Sequence, residues 1–223
     1  MFRNYERDIS VFDVLRWHLP PQIYMASSIK PGDPKSLMPE EALDTARMSK
    51  ARLSEFAAGR SCAREALRCA GVHGQAIRRN QDRSPIWPSG IMGSLSHTST
   101  FCVAIVAHAI EIMSIGIDIE IFGRITPDLI PLILTTEERK WIERQPEHRR
   151  AILAAVIFSA KEAYFKFQYT LRRQWLDFLQ AIVSFVDDHH LEVTLVDSTE
   201  IVSGIYAVDD KLVSVCVYQL RNS

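Results

Sequence analysis

Isoleucine recurs at every second position from Ile115 to Ile121, in the stretch SIGIDIEI. A period of two is the signature of a strand, where successive side chains point to opposite faces. The four isoleucines therefore share one face, and Gly116, Asp118 and Glu120 share the other. Two acids on one face stand about 7 Å apart along the strand and repel each other. Either the strand is half-buried with a wet acidic face, or a divalent cation sits between the carboxylates. This stretch alone leaves both open.

The chain has 223 residues, enough for one large domain or two small lobes. Its 26 basic residues against 27 acidic ones exert no global pull on nucleic acid or an anionic membrane. No apolar run reaches the roughly 18 residues of a membrane span. The N-terminal MFRNYERDIS lacks the apolar core of a secretory signal. Cys62, Cys69, Cys102 and Cys216 show no CxxC or CxH spacing, so neither a zinc site nor a disulfide framework is indicated. Free thiols without an export signal point to the cytoplasm.

Prolines 20, 21, 31 and 34 with Gly32 predict an irregular stretch over residues 1–35. Helical spacing of Phe56, Ala63, Leu67 and Ala70 predicts a helical region from Pro39 to Ala70, stopped by Gly71. Residues 80–97, NQDRSPIWPSGIMGSLSH, are dense in Pro, Gly, Ser and Asn and read as an extended loop. Strands are expected at Phe101–His108 and Glu111–Phe122. Thr135 and Glu138 form a T-x-x-E capping box, followed by a longer helix over Glu147–Tyr169. Four strands close the chain, at Ala181–Val186, Leu191–Val196, Ile201–Val208 and Leu212–Tyr218. Helix followed by strands thus occurs twice, which predicts an α+β protein of two lobes meeting near residue 110. The expected division is 1–110 and 111–223.

Two further stretches carry chemistry. In FSAKEAYFK, Glu162 and Lys166 are i,i+4 and share a helix face. Such a pair is commonly a surface staple. Here Phe158, Ala163, Tyr164, Phe165 and Phe167 surround it, so Lys161, Glu162 and Lys166 are polar islands on an apolar helix, where unpaired charge is costly. In SPIWPSGIMGSLSH, small residues lead to Ser96 and His97. Such a loop lets backbone N–H groups approach a phosphate, with His97 adding a contact, though most Gly/Ser loops are only turns. Arg52 and Arg60, two helical turns apart, are able to face the same anion.

Taken together, PIWPSGIMGSLSH, GIDIE and FSAKEAYFK lie in this order within about 85 residues. They resemble the 4'-phosphopantetheinyl transferases of the Sfp type, and most closely the enterobactin-synthetase subclass, over roughly residues 50–170. The resemblance implies two similar α+β lobes related by a pseudo-twofold, a monomer with coenzyme A in the cleft between them. It implies Mg²⁺-dependent transfer of the phosphopantetheine arm of coenzyme A to a serine of an apo acyl, peptidyl or aryl carrier protein, leaving adenosine 3',5'-bisphosphate. Siderophore or other secondary-metabolite biosynthesis is the implied setting. Position by position, Asp118 and Glu120 would hold Mg²⁺, and Glu162 would complete the metal site or act as the base. Lys166 would neutralise the leaving side, with Lys161 on phosphate beside it. Arg52, Arg60, Arg79, Ser96 and His97 would bind coenzyme A phosphates.

Two rivals are a Mg²⁺-dependent nuclease and an inactive carrier-protein-binding module of the same fold. The first calls for a basic groove to meet its phosphates, and the sequence has 26 basic against 27 acidic residues and no obvious basic run beyond Arg149–Arg150 and Arg172–Arg173. The second gives no reason to hold three acids together.

Overall fold

The computed structural model describes residues 10–28, 31–121, 123 and 125–221. The reading of MFRNYERDIS falls outside them except at Ser10, as does the expected strand end at Phe122. Elements follow in the order α1 (Val11–His18), β1 (Tyr24–Ser28), α2 (Pro39–Ala42), α3 (Lys50–Cys69), β2 (Ile91–His97), β3 (Cys102–His108) and β4 (Ile112–Ile121). Next come α4 (Ile130–Ile133), α5 (Thr136–Glu143), α6 (Glu147–Arg172), β5 (Ala181–Phe185), β6 (His190–Leu195), β7 (Ile201–Val208) and β8 (Leu212–Leu220). The strands form two antiparallel sheets, a three-stranded one in the order β1-β3-β2 and a five-stranded one in the order β4-β8-β7-β6-β5. The α+β expectation holds. Among the described residues, no helix is long and apolar enough to cross a membrane.

Residues 1–35 are less irregular than their prolines predict, since α1 and β1 lie among them. Ser10 and Asp13 cap each other's backbone N–H groups, and Val11, Phe12 and Leu15 bury one side of the helix. The prolines only bound it. The predicted helix over Pro39–Ala70 is interrupted, and α3 starts afresh where the Ser49 hydroxyl accepts from the Arg52 N–H. The predicted loop over residues 80–97 ends instead in β2, paired along its length with β3. Its glycine is what the packing requires: a Cβ at Gly93 would lie 2.5 Å from the Trp87 ring.

β4 decides the architecture. Ile115, Ile117 and Ile119 are buried in a core shared with α1, β3 and β8. The opposite face is covered by α6, which approaches so closely that a Cβ at Gly116 would sit 1.9 Å from the Ala163 carbonyl oxygen. Both faces are therefore dry, and Asp118 is only 3% exposed. A buried carboxylate needs partners. They define the site.

Candidate active site

Ser159, Glu162 and Lys166 recur on α6 at spacings of three and four, so they occupy one face of the helix. That face meets Asp118. Lys166 Nζ donates to Asp118 Oδ1 at 2.7 Å and to the Ile117 carbonyl at 3.0 Å. The Ser159 hydroxyl donates to Asp118 Oδ2 at 3.0 Å, and the Ser96 hydroxyl, from β2, donates to Oδ1 at 2.9 Å. Ser214 on β8 donates to the Asp118 carbonyl. Glu162 stands near enough to Asp118 and Lys166 to feel both charges. Burial pushes its pKa above the ordinary glutamate value, the Asp118 charge adds to that, and Lys166 opposes it. Glu120 stands two residues further along the same strand face, half-buried.

A second cluster lies beside the first. Arg52, Arg60, Arg79, Arg83 and His97 line one pocket. Arg60 is 4% exposed, with its guanidinium 4.1 Å from the centre of the Phe56 ring and its buried Nε without a hydrogen-bond partner. Burial lowers its pKa to about 10, so it stays charged at neutral pH. An orphaned cationic donor among three other arginines fits an anion of high charge. Arg52 donates to Glu55 and, at 3.0 Å, meets His97 Nε2. Because arginine only donates, that nitrogen accepts and the proton of the neutral imidazole sits on Nδ1. Burial and then the Arg52 charge push the His97 pKa below the ordinary value.

The arginine pocket shares Arg52, Arg79 and Arg83 with a cavity of about 670 Å³ that also takes in Arg47. In the other direction it shares Arg83, Pro85 and Leu95 with a mostly apolar groove of about 740 Å³, which runs past Trp87, Phe165, Lys166, Tyr169 and Trp175. The loop wall of this groove is pinned to α6 through Asp82, which accepts from the Tyr169 hydroxyl and from Arg173, each at 3.0 Å.

Asp118, Glu162, Lys166 and Ser96 thus come together, and the arginines gather with His97. Two placements differ from expectation. Ser96 turns its hydroxyl to Asp118, away from a phosphate role. Lys161 is not at the site: it is 2% exposed, and its Nζ donates to Glu138 at 2.6 Å and to the Ile133 carbonyl at 2.8 Å. Glu138, expected only as a capping residue, also accepts from the Thr135 and Val183 backbone N–H groups, so it ties α5, α6 and β5 together. Breaking a buried ion pair typically costs about 3–5 kcal/mol. Lys161→Met is therefore expected to lower unfolding free energy by about that much. Chemical denaturation of the variant beside wild type checks this. The sequence pattern does not single out Ser159, Arg47, Arg83 or the aromatic groove. The run RRNQDR at 78–83 was the available signal for Arg83.

The donor set fits a hard divalent cation in kind, being carboxylate oxygen throughout. Among the described residues, no three of His, Cys, Asp and Glu close into a metal cage. Mg²⁺ is usually held by one or two carboxylates completed by phosphate and water, which suits a carboxylate pair beside an anion pocket.

Two family models match the chain: the 4'-phosphopantetheinyl transferase N-terminal domain over residues 39–107, and the 4'-phosphopantetheinyl transferase superfamily over residues 114–216. The chain is 38% identical to 4'-phosphopantetheinyl transferase Svp of Streptomyces mobaraensis over 68% of its own length and 62% of that protein. It is 34% identical to 4'-phosphopantetheinyl transferase PptT of Mycobacterium tuberculosis, over 70% of its length and 69% of that protein. Enterobactin synthase component D of Salmonella typhimurium is 37% identical over 52% of this chain and 47% of that protein. The chain belongs to the 4'-phosphopantetheinyl transferase superfamily. The match nevertheless spans less than two thirds of the Streptomyces relative.

Proposed function

We propose that this chain transfers the 4'-phosphopantetheine arm of coenzyme A to a serine hydroxyl of an apo carrier protein, releasing adenosine 3',5'-bisphosphate. The observation that carries this reading is a juxtaposition: an arginine pocket opens into an apolar groove, and that groove is lined by Lys166, the partner of Asp118. A nucleotide bisphosphate, an extended arm and a reacting pyrophosphate require a cationic pocket, an apolar groove and charged reacting groups side by side. We take residues 1–110 as the unit that grips the nucleotide phosphates and 111–223 as the unit that carries the reacting groups.

Arg52, Arg60, Arg79, Arg83 and His97 bind the nucleotide phosphates. Asp118, with Glu120 and Glu162 beside it, is the set that would hold Mg²⁺. Bound there, the cation would supply charge stabilisation to the pyrophosphate oxygens. In the transfer, a bond forms between the serine oxygen and the β-phosphorus, and the bond from that phosphorus to the bridging oxygen breaks. The serine proton passes to Glu162, directly or through water; a cation on Glu162 would lower its pKa, so a residue serving both as ligand and as base would work through a water. Lys166, held on Asp118 Oδ1 at 2.7 Å, sets its charge toward the leaving phosphate. The enterobactin relative favours a siderophore carrier as substrate.

Calorimetry with coenzyme A and with dephospho-coenzyme A tests the arginine assignment. Loss of the 3'-phosphate should weaken binding at least about 10-fold, since charge-assisted contacts are the strong ones. Equal affinities would remove the cradle from the reading. As pH falls through the depressed His97 pKa the ring gains charge, so coenzyme A should bind more tightly at pH values below the ordinary histidine range. His97→Ala should bind more weakly and lose that pH dependence; a wild-type profile would contradict the role. The same depressed pKa means that the His97 contribution to stability is complete above the unfolded value of about 6.5 and is lost as pH falls through the folded one.

A further inference from the structure

We propose that Ser96 and Ser159 are positioning residues for Asp118, one hydroxyl fixing each carboxylate oxygen; this rests on the reading of Asp118 as a metal ligand. Ser96 donates to Oδ1 from β2 and Ser159 donates to Oδ2 from α6, at 2.9 and 3.0 Å, and all three side chains are buried. The terminal torsion of an aspartate is otherwise broad. A donor on each oxygen, one from β2 and one from α6, sets it.

Counting lone pairs goes further. An ionised carboxylate offers about four acceptor sites, two on each oxygen. Among the described residues, Oδ1 is filled by Ser96 and Lys166, and Oδ2 accepts from Ser159 alone. Oδ2 is thus the oxygen left with an open lone pair for a cation, and Ser159 decides which way that lone pair faces. Ser96 adds a second consequence. It neighbours His97 on β2, so the strand that carries the phosphate pocket also aims the metal-binding acid. The cradle and the carboxylate are held in mutual register by one backbone.

Partners of a ligating carboxylate typically matter by about 10–100-fold in metal affinity. The test is titration of Mn²⁺ into the full chain with saturating coenzyme A and no carrier protein, followed by loss of the free Mn²⁺ paramagnetic resonance signal. Ser96→Ala and Ser159→Ala should each weaken Mn²⁺ binding about 10-fold, and Ser96→Thr, which keeps the hydroxyl in a strand, should restore it. Asp118→Asn should lose the binding. If the alanine variants are destabilised yet bind Mn²⁺ like wild type while Asp118→Asn does not, the serines are structural only and the proposal falls. If Asp118→Asn itself binds like wild type, the metal reading falls first. Should one alanine variant fail to fold, the other carries the same prediction.

Discussion

Asp118→Asn is expected to reduce phosphopantetheine transfer by about 10²–10³-fold, the scale of removing one preorganised charge-stabilising group from an active site. The substitution preserves shape in a place that is 3% exposed, and the new amide still offers an oxygen to one of its two serine donors. What disappears is the negative charge facing Lys166 and the oxygen open to a cation. Lys166 is 27% exposed and can turn toward solvent, so the fold should persist. Turnover at saturating coenzyme A and carrier protein, beside near-ultraviolet circular dichroism, separates lost chemistry from lost structure. Unchanged turnover in a folded variant would take Asp118 out of the reaction.

Glu162→Gln is the second large effect. General base catalysis contributes about 10²–10⁴-fold, and kcat should fall on that scale with coenzyme A affinity little changed. The pH profile is the sharper readout. A protonated base cannot accept the serine proton, so wild-type activity should fall in acid. The glutamine variant should lack that limb. Stability moves the opposite way. The folded pKa lies above the unfolded value near 4.5, so folding favours the protonated form and stability is lost as pH rises through the folded pKa. Glu162→Gln is therefore expected to be more stable than wild type at neutral pH and much slower. A variant with wild-type kcat would exclude Glu162 as base.

Local periodicity made β4 and α6 legible. The isoleucine alternation places Asp118 and Glu120 on one strand face, and the i,i+4 spacing places Glu162 with Lys166. The dryness of that strand face was not legible, because α6 covers it from some 45 residues away in sequence through the close approach at Gly116. Lys161 departs from the expected role for a geometric reason. It lies five positions before Lys166, which turns it roughly 140° around the helix, toward Glu138 and away from Asp118. Ser159 and Ser96 come from different elements and meet only in the folded chain. α1 and β1 were hidden by prolines that bound elements as readily as they break them.

Intact-mass spectrometry of an apo carrier protein after incubation with this chain, coenzyme A and Mg²⁺, beside a sample containing EDTA, tests the central claim most directly. The account predicts a mass gain of one phosphopantetheine that disappears with EDTA. No gain on acyl, peptidyl or aryl carrier proteins, from a folded chain that binds coenzyme A, would contradict it and leave a carrier-binding module in its place.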